Sequence, residues 1–264
     1  MSTRREPIRG WVTEPSADRD AAWARAREAS ARVVPAEAHA EHASLVERYA
    51  TMAHAFEPRA IDHVLRGVDL VIAGAAAIVG APLCLVIAIA LKLSSPRCPV
   101  LYRGWRVGRG GHLFQMLKFR TLAPDAEQRL GPYLGPELTA LTHAEVSRIG
   151  RPLRASRLDE LPQLYNVLRG EMSLVGPRPI RPTFFEELCV TIPEYWQRLV
   201  VRPGITGLAQ LRLTREMTWA EKLAHDLEYI ADRSVGLYLS VIATTIWLIV
   251  MRPANRRSVL NRLP

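Results

Sequence analysis

The feature that most constrains this chain is a long stretch without a charge. From Leu70 to Leu91 it reads LVIAGAAAIVGAPLCLVIAIAL. As a straight helix such a run is about 33 Å long, enough to cross the hydrocarbon core of a bilayer. Pro82 sits in its middle, where it removes a backbone hydrogen bond and bends a helix. Basic residues flank both sides: Arg59 and Arg66 before the run, then Lys92, Arg97, Arg103, Arg106 and Arg109 after it. A spanning helix carries its Lys/Arg excess on one side. Two readings stay open, a single transmembrane helix and a kinked hairpin that dips into one leaflet and returns.

Around this run the chain is basic. Its 264 residues carry a formal net charge of +9 and a sequence pI of about 10.0. Such a balance suits phosphorylated ligands, an anionic membrane surface or nucleic acid. A nucleic-acid partner is not expected, because no recognition helix or aromatic-basic platform is visible. The three cysteines, Cys84, Cys98 and Cys189, are widely spaced, which argues against a disulfide framework or a zinc site and fits a reducing compartment. Residues 1–58 are rich in Ala, Arg and Glu, show no apolar signal segment, and read as an extension, partly helical or mobile.

After the apolar run, Pro99–Val107 and His112–Phe119 alternate enough to form two strands, with Gly108, Gly110 and Gly111 as a hairpin turn. Lys118 and Arg120 are spaced to share one side of the second strand. Further on, Asp159 and Glu160 stand side by side, an unfavourable pairing unless a cation joins them. They precede a helix expected from about Glu160 to Arg169 and ended by Gly170. Asp159 can be explained as its N-cap, or Ser156 and Asp159 as a capping box. The same acids could instead hold Mg²⁺, or one could attack phosphorus. Two turns then repeat a pattern, VGPRP at Val175–Pro179 and VRPGITGLAQ at Val201–Gln210. Each holds an Arg beside proline, and Arg178 and Arg202 suit bidentate phosphate contacts.

KFRTL at Lys118–Leu122, LDELPQLYNVLRGEMSLVGPRP at Leu158–Pro179 and RPGITGLAQ at Arg202–Gln210 resemble the bacterial sugar transferase family, the monotopic polyprenyl-phosphate phosphoglycosyl transferases. The resemblance covers about residues 60–252. It implies a re-entrant membrane helix with Ala81-Pro82 at the bend. It implies transfer of a sugar phosphate from a UDP-sugar to undecaprenyl or a similar polyprenyl phosphate, with UMP released. It also implies a covalent aspartyl-phosphosugar intermediate, with Asp159 as nucleophile, Glu160 as its companion and Mg²⁺ at the pair. Lys118, Arg120, Arg154, Arg178 and Arg202 become candidates to stabilise charge on the transferring oxygens. Two stretches depart from the family's pattern. His143–Ser147 replaces an Asp-x-Arg run, and Leu211–Arg215 replaces a polar stretch, with Arg212 or Arg215 left to supply a charge.

The fold class expected is α+β, mostly helical: a re-entrant membrane helix hairpin, a small β-hairpin and interfacial amphipathic helices around a compact cytosolic catalytic domain. The divisions expected are 1–58 as extension, 59–97 as membrane helix, 98–234 as catalytic domain, and 235–264 as an interfacial helix with a basic tail. In the last part, Tyr238 and Trp247 suit a lipid interface, and Arg252, Arg256 and Arg257 suit anionic head groups. The location expected is the cytoplasmic face of a bacterial inner membrane. A homo-oligomer stays open. The rival functions are a non-catalytic membrane scaffold, in which the acids are only caps, and a nucleic-acid-binding membrane regulator.

Overall fold

A computed structural model describes residues 59–123, 145–212 and 217–250. The expectations for residues 1–58, for Arg215 and for the tail arginines 252, 256 and 257 lie outside the described residues. Within them the chain is mostly helical, with two small two-stranded sheets and one long apolar helix.

The long helix, α1, spans Ala60–Ser94 and runs through Pro82. Its most apolar window of 18 residues has a mean hydropathy of 2.6. It buries residues only near its two ends: Leu65, Asp69 and Ala73 toward the start, Ile87 and Leu91 toward the finish. Between them Ile78 and Val79 stand 77% and 81% exposed. The apolar run therefore serves the protein core at both ends and leaves its middle uncovered.

The hairpin forms as the alternation predicts. Strands β1 (Leu101–Val107) and β2 (Leu113–Phe119) pair antiparallel, with Tyr102 opposite Lys118 and Arg106 opposite Phe114. The chain reverses through Gly110 and Gly111, whose φ angles of 64° and 79° are left-handed and suit glycine. Gly104 answers a different need. Tyr102, Gly104 and Arg106 alternate onto one face of β1. A Cβ at Gly104 would lie 2.5 Å from the Tyr102 hydroxyl and 2.9 Å from an Arg106 guanidinium nitrogen. The missing side chain is what lets Tyr102 and Arg106 meet across it.

Phe114 and Met116 of β2 enter the main core with Leu65 and Ala73 of α1. The last described helix, α4 (Val235–Val250), adds Tyr238 and Val241 to that core. Tyr238 corrects the interfacial expectation. It is fully buried, and its hydroxyl bonds to the Asp69 carboxylate. Asp69 also accepts from the Leu174 amide at 2.8 Å and from Ser173 Oγ at 3.2 Å. A carboxylate inside a protein needs several donors, and the tyrosine is one of them. Trp247 on the same helix is 48% exposed.

The two basic turns are joined by the second sheet. Strand β3 (Ser173–Val175) pairs in parallel with β4 (Gly204–Thr206). Glycine makes the contact close enough. A Cβ on Gly204 would lie 2.1 Å from the Gly176 nitrogen, and one on Gly176 would lie 2.4 Å from the Arg202 carbonyl oxygen. Sequence reading treated VGPRP and VRPGITG as two separate turns. Backbone packed on backbone makes them one unit.

Candidate active site

The acid pair sits where two short helices meet. Helix α2 (Gly150–Ser156) ends at Arg157, the one non-glycine residue with positive φ among the described residues, at 60°. A left-handed arginine costs about 1 kcal/mol. It turns the chain into a single 3₁₀ turn, Leu158–Glu160, which carries both acids. Helix α3 then begins later than the sequence suggested, at Gln163, and runs to Arg169. Gly170 closes it in the left-handed conformation, as expected.

This geometry removes the capping explanation for Asp159. The residue before α3 is Pro162, which makes no side-chain cap. Ser156 does not form a capping box either, since its hydroxyl donates back to the carbonyls of Pro152 and Leu153. Asp159 is 8% exposed; its carboxylate accepts from its own backbone N–H, and among the described residues no other side chain hydrogen-bonds to it or pairs closely with it. Burial pushes its carboxyl above the usual aspartate value, and Glu160 beside it adds to that. Lys118 and Arg154 pull the other way without cancelling the shift.

Glu160 has the opposite balance. Burial alone would raise its pKa, but Lys118 and Arg178 outweigh that and hold the carboxyl below its usual value. Lys118 Nζ lies 2.7 Å from Glu160 Oε1, and an Arg178 guanidinium nitrogen lies 3.9 Å from the same oxygen. Arg178 also donates to Gln210 Oε1 at 3.3 Å. These groups frame a cleft of about 350 Å³, lined by Arg106, Met116, Lys118, Glu160, Gln163, Arg178, Pro179, Gly204 and Ile205. Burial lowers the Lys118 pKa, Glu160 opposes that fall, and Arg178 adds to it.

The other predicted site residues divide. Arg154 donates through Nε to Thr121 Oγ1 at 2.8 Å and lies within electrostatic reach of Asp159. Arg120 does not share the orientation of Lys118. It follows the end of β2, and its guanidinium reaches the Leu91 carbonyl of α1 at 3.5 Å. Arg202 is not among the cleft's lining. Its Nε donates to the Gly170 carbonyl at 2.9 Å, next to Arg66, which donates to the Val167 and Leu168 carbonyls at 2.6 and 3.0 Å. Arginines suit these last carbonyls of a helix, where the macrodipole is negative. Arg212 is paired with Glu228 at 2.6 Å.

Four participants escaped sequence reading. Arg106 reads there only as a flanking charge, although its alternation with Gly104 and Tyr102 already put it on one face. Gln163 and Gln210 carry no motif of their own. Arg198 is also unmarked. It is buried, bonds Asp226 at 2.7 Å, and donates to the Arg178 backbone carbonyl at 3.0 Å, so it fixes the turn that presents Arg178.

The sequence matches proteins of one kind. It is 41% identical over 194 residues to the UDP-glucose:undecaprenyl-phosphate glucose-1-phosphate transferase of Caulobacter vibrioides, covering 71% of this chain and 70% of that protein. It is 38% identical over 186 residues to the UDP-N-acetylgalactosamine-undecaprenyl-phosphate N-acetylgalactosaminephosphotransferase of Aeromonas hydrophila, covering 69% of this chain but 43% of the relative. It is 37% identical over 192 residues to the exopolysaccharide production protein PSS of Rhizobium leguminosarum, covering 69% of this chain and 92% of that one. The family description "bacterial sugar transferase" fits residues 61–252, which hold the long helix, the hairpin, the acid pair and both basic turns. This chain belongs to the bacterial sugar transferase family.

Proposed function

We propose that this chain transfers a sugar 1-phosphate from a UDP-sugar to undecaprenyl phosphate or a similar polyprenyl phosphate. As a member of its family the chain is a phosphoglycosyl transferase. The observation that carries the finer reading is Asp159: a buried carboxylate that caps no helix, beside a Glu160 already pinned by Lys118. A buried carboxylate that no other side chain hydrogen-bonds is suited to attack.

In the first step an Asp159 oxygen attacks the sugar-bearing β-phosphorus. The bond from that phosphorus to the bridging oxygen breaks, and UMP leaves with the electron pair. In the second step an oxygen of polyprenyl phosphate attacks the aspartyl phosphate, the acyl–phosphate bond breaks, and the carboxylate is freed. Lys118, Arg178 and Arg106 face the cleft in which the diphosphate charge would rest, and Arg154 stands near Asp159. Arg120 and Arg202 have other partners, at α1 and at the end of α3.

Mg²⁺ fits the chemistry of this donor set. Among the described residues no cluster of three or more metal-ligating side chains exists. Mg²⁺ commonly takes one or two carboxylates and completes its shell with substrate phosphates and water. Asp159 and Glu160 would hold it, and when bound it would neutralise diphosphate charge.

The membrane reading uses α1. Its covered ends and bare apolar middle, centred near Pro82, support a re-entrant bend with the uncovered part in one leaflet. Exposed Trp247 and Ile249 of α4 would add to the same surface. In this reading the cleft would lie at the head groups, on the cytoplasmic face of the inner membrane, for an early step in polysaccharide assembly.

The test is Asp159→Asn. UMP release should fall about 10³-fold or more, and no protein–phosphosugar adduct should be seen by intact mass. Stability should move the other way. A carboxyl whose folded pKa is raised destabilises the fold as pH rises through that pKa, because the folded state binds more protons than the unfolded one. The variant should therefore unfold at the same temperature as wild type or higher at neutral pH. Wild-type turnover by Asp159→Asn would end this reading.

A further inference from the structure

Gln163 opens α3, three residues past Glu160, and is 2% exposed. Its side-chain nitrogen Nε2 is buried and has no hydrogen-bond partner among the described residues. The same side chain lines the cleft beside Lys118, Glu160 and Arg178. Folded proteins pair nearly all buried donors, and one left unmet is costly. A donor that lacks a protein partner and borders a cleft is a place for a ligand atom. The terminal torsion of glutamine is soft, so the carboxamide can turn into the cleft at little cost.

The unmet end identifies the ligand atom. An –NH₂ group needs an acceptor. The cleft around it carries Arg106, Lys118 and Arg178 against one carboxylate, Glu160, so the acceptor that belongs there is negatively charged. Of the groups a UDP-sugar brings, a phosphate oxygen meets both conditions, and a sugar hydroxyl meets only the first. We infer that Gln163 is a substrate-binding residue that donates a hydrogen bond to a phosphate oxygen of the UDP-sugar diphosphate. The inference rests on the function proposed above.

Two substitutions test it, read by steady-state UMP release, by UDP binding and by thermal unfolding. The substrate is whichever nucleotide sugar wild type turns over fastest in a panel that includes UDP-glucose and UDP-N-acetylgalactosamine. Gln163→Met keeps the volume and removes the donor. It should raise KM and weaken UDP binding about ten-fold or more, with kcat changed far less. Its melting temperature should stay level or rise, because an unpaired buried group has gone. Gln163→Glu places a negative charge against the phosphate and should weaken UDP binding further than Met does. An unchanged KM in Gln163→Met would overturn the inference. So would a lower melting temperature in that variant, which would mean that the amide already has a protein partner. Wild-type UDP affinity in Gln163→Glu would overturn it as well. If wild type itself released no UMP from any sugar in the panel, the proposed function would fail instead.

Discussion

Arg178 and Arg202 look alike in sequence and do different work in the fold. Each stands beside proline, each follows a short apolar stretch, and each reads as a phosphate anchor. In the structure Arg178 keeps a half-exposed side chain, 56% open, over the cleft and near Glu160. Arg202 turns away and joins Arg66 on the carbonyls that end α3. What differs is the nearest acceptor. Arg178 faces a carboxylate at the rim of a cavity, whereas Arg202 faces a helix terminus whose last carbonyls need donors. A motif that fixes backbone direction does not fix what a long side chain meets.

The strongest way to break the comparison is to separate the two turns. Gly204→Ala would drive a methyl group into backbone atoms of Gly176 on the neighbouring turn, with no flexible side chain able to yield. We expect a loss of about 3 kcal/mol or more in unfolding free energy, together with loss of UMP release. Chemical denaturation would check this. A stable Gly204→Ala protein would mean that the two turns do not depend on each other.

A smaller effect should appear at Arg178, and in activity only. Arg178→Ala should lower kcat/KM for the UDP-sugar by about 10- to 100-fold, the worth of a charge-assisted contact of roughly 1.5–3 kcal/mol. Its melting temperature should barely move, because its side chain is more than half exposed and its contact with Glu160 is long, at 3.9 Å. Arg178→Lys should recover part of the rate, since a point charge replaces the charge but not the fork. Full recovery by lysine would reduce Arg178 to a generic cation.

The smallest effect belongs to Arg202, and it should fall on stability. Arg202→Ala leaves the Gly170 carbonyl without its donor, at a cost of about 1 kcal/mol. kcat/KM should change only a few-fold. A large loss of activity without loss of stability would place Arg202 in the substrate site and would erase the distinction between the turns.

Glu160 and Asp159 sharpen the same lesson at closer range. They are chain neighbours of one chemical type, yet the folded protein raises one pKa and lowers the other. The sequence offered capping for Asp159 because an acid before an apolar helical pattern commonly caps it. The left-handed Arg157 and the 3₁₀ turn delay the helix to Gln163, so the cap position falls on Pro162. Helix boundaries depend on such local reversals, which hydrophobic spacing does not report.

Several features were legible from the chain alone because they rest on local physics. The uncharged run made α1, the alternation around Gly108–Gly111 made the hairpin, and Gly170 ended α3. The motifs were also long enough to identify the family. Other features depend on residues far apart in sequence meeting in space. Gly176 against Gly204 joins the turns, Asp69 draws Tyr238 inward, and Arg198 holds the carbonyl of Arg178. Whether a polar group is satisfied depends on all its neighbours at once. The unmet amide of Gln163 and the different fates of Arg178 and Arg202 were therefore decided only by the tertiary structure.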